Sequence, residues 1–257
     1  SSNAKVTPIS GFLEFLPEER IVEQHCLDLI RETFELHGFS SIETRAVEPV
    51  ERLLGKGGDA DKEIYAVSRL AGGADESREA SLGLHFDLTV PFARYVLENA
   101  GKLAFPFARY QMQKSWRGER PQEGRYREFT QCDADVVDVG TLPGHYETEM
   151  ALLLVDVFDQ LPVGDYTVRV NDRRVPQGFY RGIGIADVAG TLRIVDKLDK
   201  VSAETVRGWL VEAGCTAEQA DRCLELATIQ SADLGFVDAV RALGVSDPDL
   251  EAGLIPW

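Results

Sequence analysis

Lys114-Ser115-Trp116-Arg117-Gly118-Glu119-Arg120-Pro121, then Gln122-Glu123-Gly124, then Arg125-Tyr126-Arg127-Glu128-Phe129-Thr130-Gln131, is the stretch on which the reading of this chain turns. Phe107 to Trp116 reads as a strand and Pro121 to Gly124 as a turn region. Arg127 to Val137 reads as the return strand, alternating and β-branched near its end. Arg117 and Glu119, two apart on a strand, would share one face. Such a pair alone is most often a surface ion pair. Here two further arginines occupy the connecting loop, and Phe129 lies across from them. Together the parts make a cup with a cationic floor, one acid and an aromatic lid. A purine nucleoside triphosphate needs that set: Arg for phosphate, a flat ring for the base, an acceptor for the exocyclic amine.

The rest of the chain sharpens the contrast. Net charge is −16 over 257 residues, which argues against a plain nucleic-acid binder, since phosphate contacts need Lys and Arg. Yet Arg109, Lys114, Arg117, Arg120, Arg125 and Arg127 cluster against only Glu119 and Glu123. One basic segment in an acidic chain points to a local anion site. No run of 18 apolar residues could span a membrane. Cys26, Cys132, Cys215 and Cys223 form no C-x-x-C pair, and with the four scattered histidines they fit no zinc pattern, so no metal site is expected. Reduced thiols in a cytoplasmic protein are the simplest expectation.

Outward from the hairpin, a helix is expected after Pro17-Glu18-Glu19. Val22, Cys26, Leu29, Ile30, Thr33 and Phe34 recur along it, and Gly38 ends it. A strand from Phe39 to Val47 would end at Pro49. A short hairpin is expected around Glu63 to Leu70, with a mobile loop from Gly72 to Ser81. Leu84 to Thr89 looks strand-like and leads into a helix with Pro91 in its first turn. His145 to Gln160 is an amphipathic helix, and Tyr166 to Asn171 another strand. Helical patterns follow over Leu192–Leu198, Ala203–Ala213, Ala217–Leu226 and Leu234–Leu243, with Ser202 and Thr216 as N-caps. Ser1 to Ala4 looks like a cloning remnant. The expected division is residues 5–185 as one α+β domain and 186–257 as a small helical domain.

The hairpin also carries a family resemblance. Trp116-Arg117-Gly118-Glu119, a loop and Phe129 resemble the motif 2 hairpin of class II aminoacyl-tRNA synthetases. Arg120 to Gln131 resembles the histidine-specific version, as does Phe86-Asp87-Leu88-Thr89-Val90-Pro91-Phe92-Ala93-Arg94-Tyr95. Pro49 after an amphipathic helix and strand is similar to motif 1, the dimer-interface element. The resemblance, to the histidyl-tRNA synthetases, runs from about Gly11 to about Leu226.

The resemblance implies a mostly antiparallel sheet flanked by helices, followed by a helical insertion domain. It implies a histidine–tRNA ligase using ATP and Mg²⁺, with tRNA(His) as partner and a homodimer as assembly. Arg117 would contact the ATP α-phosphate and stabilise the transition state, Glu119 would bind the adenine amino side, Arg125 would hold the distal phosphates and Phe129 would stack on adenine. Asp87 and Thr89 would hold the α-ammonium of histidine, with Gln131 and Asp135 lining the pocket. The family's Arg-Gly-Leu-Asp-Tyr-Tyr segment, its motif 3 arginine and its anticodon-binding domain have no counterpart here, so a fragment with an incomplete, inactive site is expected. The alternative in the same fold is a catalytically silent, histidine-binding regulatory subunit of ATP phosphoribosyltransferase. The full set Arg117, Glu119, Arg125 and Phe129 favours the ligase, because a silent subunit has no need of it.

Overall fold

Pro17 and two acids open α1 (Pro17–Leu36), where a first turn tolerates the missing N–H and favours negative charge. The Glu19 carboxylate accepts from the Leu16 N–H at 2.9 Å. Gly38, at φ +82°, turns the chain out of the helix. Thr33 and Phe34 are buried, but Val22 near the other end of the expected stripe is exposed. The computed structural model describes residues 6–54, 63–69 and 82–255. The expected loop from Gly72 to Ser81 lies outside the described residues.

The single strand expected from Phe39 to Val47 is instead two short ones in different sheets: β1 (Ser40–Ser41) and β2 (Val47–Pro49). Polar Glu43, Thr44 and Arg45 interrupt the run, and Thr44 hydrogen-bonds to side chains of a neighbouring strand rather than to a ladder. A one-turn helix, α2 (Val50–Leu53), follows. β3 (Ala66–Val67) and β4 (Leu82–Leu84) complete a small antiparallel sheet of order β2-β4-β3. Of the strand-like stretch Leu84 to Thr89 only Leu84 lies in a strand; a turn follows and α3 (Thr89–Asn99) starts after it, with Pro91 buried in its first turn. Glu48 of β2 and Arg94 of α3 form a buried ion pair at 2.7 Å.

β5 (Phe107–Trp116) and β6 (Glu128–Val137) are the hairpin read from the sequence. They pair antiparallel along their full length, from Phe107 opposite Val137 to Trp116 opposite Glu128. β1 adds in parallel on the other side of β5. The period of two gives this sheet two unlike faces. Ala108, Tyr110, Met112, Cys132, Ala134 and Val136 pack with Ile30 and Phe34 of α1 and with Met150, Leu153 and Val157 of α4 (His145–Gln160). The other face carries Arg109, Gln111, Gln113, Ser115, Gln131, Asp133 and Asp135. Arg109, Gln111 and Ser115 on it are fully buried. A face that is both polar and buried is costly unless its groups are paired, and it is where a site is to be sought.

The chain divides into two compact units, residues 1–166 and 167–257. The boundary therefore falls earlier than residue 185. The reason is α5 (Arg174–Gly182), a helix the sequence reading did not foresee. It packs on α10 (Pro248–Gly253), and Val175, Phe179 and Tyr180 join the core of the second unit. Gly178 makes that approach possible: a Cβ there would come within 2.4 Å of the Leu250 nitrogen. No strand forms over Tyr166 to Asn171, since no described strand pairs with it. The remaining helices are α6 (Val188–Val195), α7 (Ala203–Glu212), α8 (Ala217–Ala227) and α9 (Gly235–Ala242). Ser202 and Thr216 accept from the third N–H of α7 and α8. The core they enclose is built on Phe179, Tyr180, Val206, Leu210, Cys223 and Leu250.

Candidate functional site

Arg117 sits where β5 ends and the chain enters the hairpin loop. Its backbone N–H donates to the Arg127 carbonyl at 2.9 Å, and the next N–H, of Gly118, donates to Glu63 at 2.7 Å. The guanidinium lies between two rings, its carbon 4.5 Å from the Phe86 centroid and 5.0 Å from that of Phe129. Its Nε donates to the Phe86 carbonyl at 3.2 Å. Planar stacking of this kind suits Arg and not Lys. It leaves the two terminal nitrogens of a charged fork for another partner.

Glu119 is not on the same strand face as Arg117, because the strand stops at Trp116. Among the described residues it forms one ion pair, with Arg125 Nη1 3.8 Å from Oε2. That pair has little energetic weight, since Arg125 is 63% exposed. The loop itself is pinned elsewhere. Gln122 and Arg125 exchange backbone hydrogen bonds at 3.0 and 3.1 Å, and Arg127 donates through Nε to the Glu119 carbonyl. Gly11 accepts from the N–H groups of Arg127 and Glu128. Trp116 donates from Nε1 to Glu128 at 2.8 Å and stacks on the buried His85, whose Nε2 is 2.6 Å from the Lys114 carbonyl.

Asp87 and Thr89 do not lie two apart on a strand. Asp87 occupies the turn before α3, and its Oδ1 accepts from the N–H of Thr89 at 3.1 Å and of Val90 at 3.2 Å. Thr89 is exposed in the first turn of α3. Gln131 and Asp135 share the polar face of β6 with Asp133 between them. The Gln131 amide donates to Asp133 at 3.5 Å, and its buried Oε1 has no hydrogen-bond partner. Asp135 pairs with Arg109 directly across the ladder, Oδ2 to Nη2 at 2.5 Å.

Asp133 is the acid the sequence reading passed over. Burial raises it above the usual carboxylate range. Arg109 opposes that shift, and repulsion from Asp135 and Asp87 adds to it. Asp135 and Asp87 thus both act on Asp133, beside one buried guanidinium. Asp133 could have been found by carrying the period of two from Gln131 to Asp135. Nothing in the sequence marked Phe86 as the second ring on Arg117.

Among the described residues, no group of three or more His, Cys, Asp and Glu could hold a metal ion. In the second unit, basic side chains are engaged locally: Arg207 with Asp221, Arg241 with Glu251, Lys197 over Trp209 and Arg222 over Phe179. No described helix is long and apolar enough to cross a membrane.

Residues 11–253 match the histidyl-tRNA synthetase family. The histidine–tRNA ligase of Micrococcus luteus is 58% identical, over 96% of this chain and 56% of its own length. The crystal structure of histidyl-tRNA synthetase from Nostoc sp. PCC 7120 superposes with a TM-score of 0.84 at 32% identity, covering 98% of this chain and 56% of that one. A Bacillus halodurans protein described as an ATP phosphoribosyltransferase regulatory subunit/histidyl-tRNA synthetase shares the fold, with a TM-score of 0.79 at 17% identity. The chain spans about half the length of the curated relatives it matches. With the family model matched from residue 11 to residue 253, the chain belongs to the histidyl-tRNA synthetase family.

Proposed function

We propose that this chain carries the ATP-binding hairpin and the amino-acid pocket of a histidine–tRNA ligase. The observation that carries the reading is Arg117 at the end of β5, its guanidinium carbon 4.5 Å from the Phe86 ring centre and 5.0 Å from that of Phe129. In the reaction, a carboxylate oxygen of histidine attacks the α-phosphorus of ATP. The bond to the β-phosphate breaks, and pyrophosphate leaves with the electron pair. Arg117 binds an α-phosphate oxygen, where negative charge grows in the transition state, and is already ordered before the reaction begins. Phe129 covers one face of adenine, Glu119 accepts from its amino group and Arg125 attends the distal phosphates. Asp87 and Thr89 hold the α-ammonium, with Gln131 and Asp135 beside it. A hydroxyl at the 3′ end of tRNA(His) then takes the acyl group and releases AMP.

Mg²⁺ enters this reading as the counter-ion of the ATP polyphosphate, carried in with the substrate. The described residues offer no cluster to hold it, and no step is assigned to it. A homodimer through α1 and β2, in a cytoplasmic setting, completes the proposal. Ile21 and Val22 stand exposed on α1, as an assembly face would need.

The test is histidine-dependent ATP–pyrophosphate exchange by this chain and by a version extended past Trp257 to the relatives' length. Arg117→Ala serves as control in both. Exchange in the extended protein that falls by roughly 10²–10³-fold in Arg117→Ala is the expected result. Histidine binding without exchange in either protein would sink the ligase reading and favour the silent regulatory subunit.

A further inference from the structure

Arg109 is the largest fully buried side chain among the described residues, and it lies on the polar face of the hairpin. Its guanidinium carbon is 4.2 Å from the centre of the buried Phe92 ring. Its Nη2 lies 2.5 Å from Asp135 Oδ2 as an ion pair without hydrogen-bond geometry, its Nη1 reaches the Asp133 carbonyl at 3.5 Å, and its Nε has no hydrogen-bond partner. A buried cation with a vacant donor is a costly choice for mere packing, which Leu or Met would supply at the same place. What it does provide is a fixed positive charge beneath a pocket of acids.

We infer that Arg109 is a positioning residue for the amino-acid pocket: it holds the Asp135 carboxylate by an ion pair across the ladder, where that carboxylate can receive the cationic side of the substrate. Arg109 has this role only if the pocket takes histidine, as proposed above. The groups that face one another are Asp133 and Asp135 from β6, Arg109 from β5, Asp87 from the turn before α3, and the Phe92 ring from α3 itself. Repulsion from Asp135 and Asp87 adds to burial in raising Asp133, and Arg109 opposes that rise. Asp135 has solvent on its other side, its side chain 39% exposed, so it can present an oxygen to a ligand while Arg109 holds the opposite edge. Arg109 itself touches no substrate in this arrangement. It acts through Asp135.

Removing the charge should move the Asp133 titration upward. At low pH the pocket would then lose the negative charge that an ammonium or imidazole N–H requires. The experiment compares the extended protein with its Arg109→Met and Arg109→Lys variants. Carboxyl-carbon NMR of aspartate-labelled protein follows Asp133 and Asp135 through a pH titration. ATP–pyrophosphate exchange gives KM for histidine and for ATP at pH 6 and pH 8.

In Arg109→Met, Asp133 should titrate at higher pH. KM for histidine should rise about tenfold or more at pH 6, the loss expected for one charge-assisted contact, and less at pH 8. KM for ATP should not change. Arg109→Lys keeps a charge without the planar fork, so an intermediate rise is expected, and it alone suffices if the Met variant does not fold. Unmoved titrations, an unchanged KM for histidine, or equal rises for histidine and ATP at both pH values would overturn the role. Absence of exchange in the unsubstituted protein would instead remove the ligase reading and this role with it. The titrations would still show whether Arg109 sets the charge of the pocket.

Discussion

Glu48 and Arg94 are joined inside the first unit, Oε1 to Nε at 2.7 Å, with side-chain exposures of 0% and 8%. The pair ties β2 to α3, the helix whose first turn borders the proposed amino-acid pocket. Arg45 adds to it from the surface, 3.1 Å from the second Glu48 oxygen, and Glu98 meets Arg94 at 2.8 Å.

Breaking a buried pair from one side strands the other charge, which costs more than the pair gained by forming. Glu48→Ala should therefore destabilise the first unit by about 3–5 kcal/mol. Urea unfolding read from Trp116, the tryptophan of that unit outside the helical domain, is the measurement, with the second unit followed separately by its own probe. A loss below about 1 kcal/mol would show that Glu98 compensates for the missing carboxylate.

Gly11 faces the hairpin loop at φ +84°, and a Cβ there would meet Arg127 Cγ at 2.8 Å and Pro121 Cγ at 2.9 Å. Gly11→Ala should cost about 1–2 kcal/mol for the backbone conformation alone, with the crowding added. The hydrogen bonds from Arg127 and Glu128 to the Gly11 carbonyl would loosen with it. Limited trypsin digestion should then cut faster at Arg125, whereas Arg120 is protected by the proline that follows it. Gly124→Ala is the comparison: its φ is +73°, but nothing lies within 4 Å of the added carbon. If both variants are cut at the same rate, the Gly11 contact does not hold the loop.

Much of this loop and its hairpin was legible in the sequence. Alternation over Phe107–Trp116 and Arg127–Val137 was strong enough to fix both strands to within a residue. The N-caps Ser202 and Thr216 were readable because the capping chemistry is local. What failed was non-local. Arg117 and Glu119 fit one face of a strand only if the strand continues, and the ladder ends one residue short of Arg117. Pro176 and Gly178 hid α5, since both disfavour a helix by propensity. Tertiary packing on α10 overrides them, and Gly178 is there for the space it leaves. Arg109 looked like one more basic residue of the segment; only the ladder shows that it stands opposite Asp135.

The cysteines give a test of burial that is independent of function. Burial pushes the Cys132 thiol up to about 11 and the Cys223 thiol up to about 12, with nearby acids adding to the first and Cys215 to the second. At pH 8 each would be thiolate in about one molecule in a thousand or fewer, and the thiolate is the reactive form. In native protein, an aromatic disulfide reagent should leave Cys132 and Cys223 unmodified for hours. Both should react at once in denaturant. Rapid native labelling of Cys223 would mean that the helical core opens far more often than its packing implies.

Asp87 allows the bland and the functional readings of one residue to be separated. Its Oδ1 caps the start of α3 by accepting from Thr89 and Val90, and Asn can accept in the same way. Asp87→Asn should therefore keep stability within about 0.5 kcal/mol, whereas Asp87→Ala should lose about 0.5–2 kcal/mol with the cap. Binding of an ammonium needs the charge and not only the acceptor. In the exchange assay on the extended protein, Asp87→Asn should raise KM for histidine about tenfold or more while leaving KM for ATP unchanged. An Asn variant with wild-type KM for histidine, beside an Ala variant that is destabilised, would confine Asp87 to capping. The ammonium would then have to be held by Asp133 and Asp135, and the same KM measurement on Asp135→Asn would decide it.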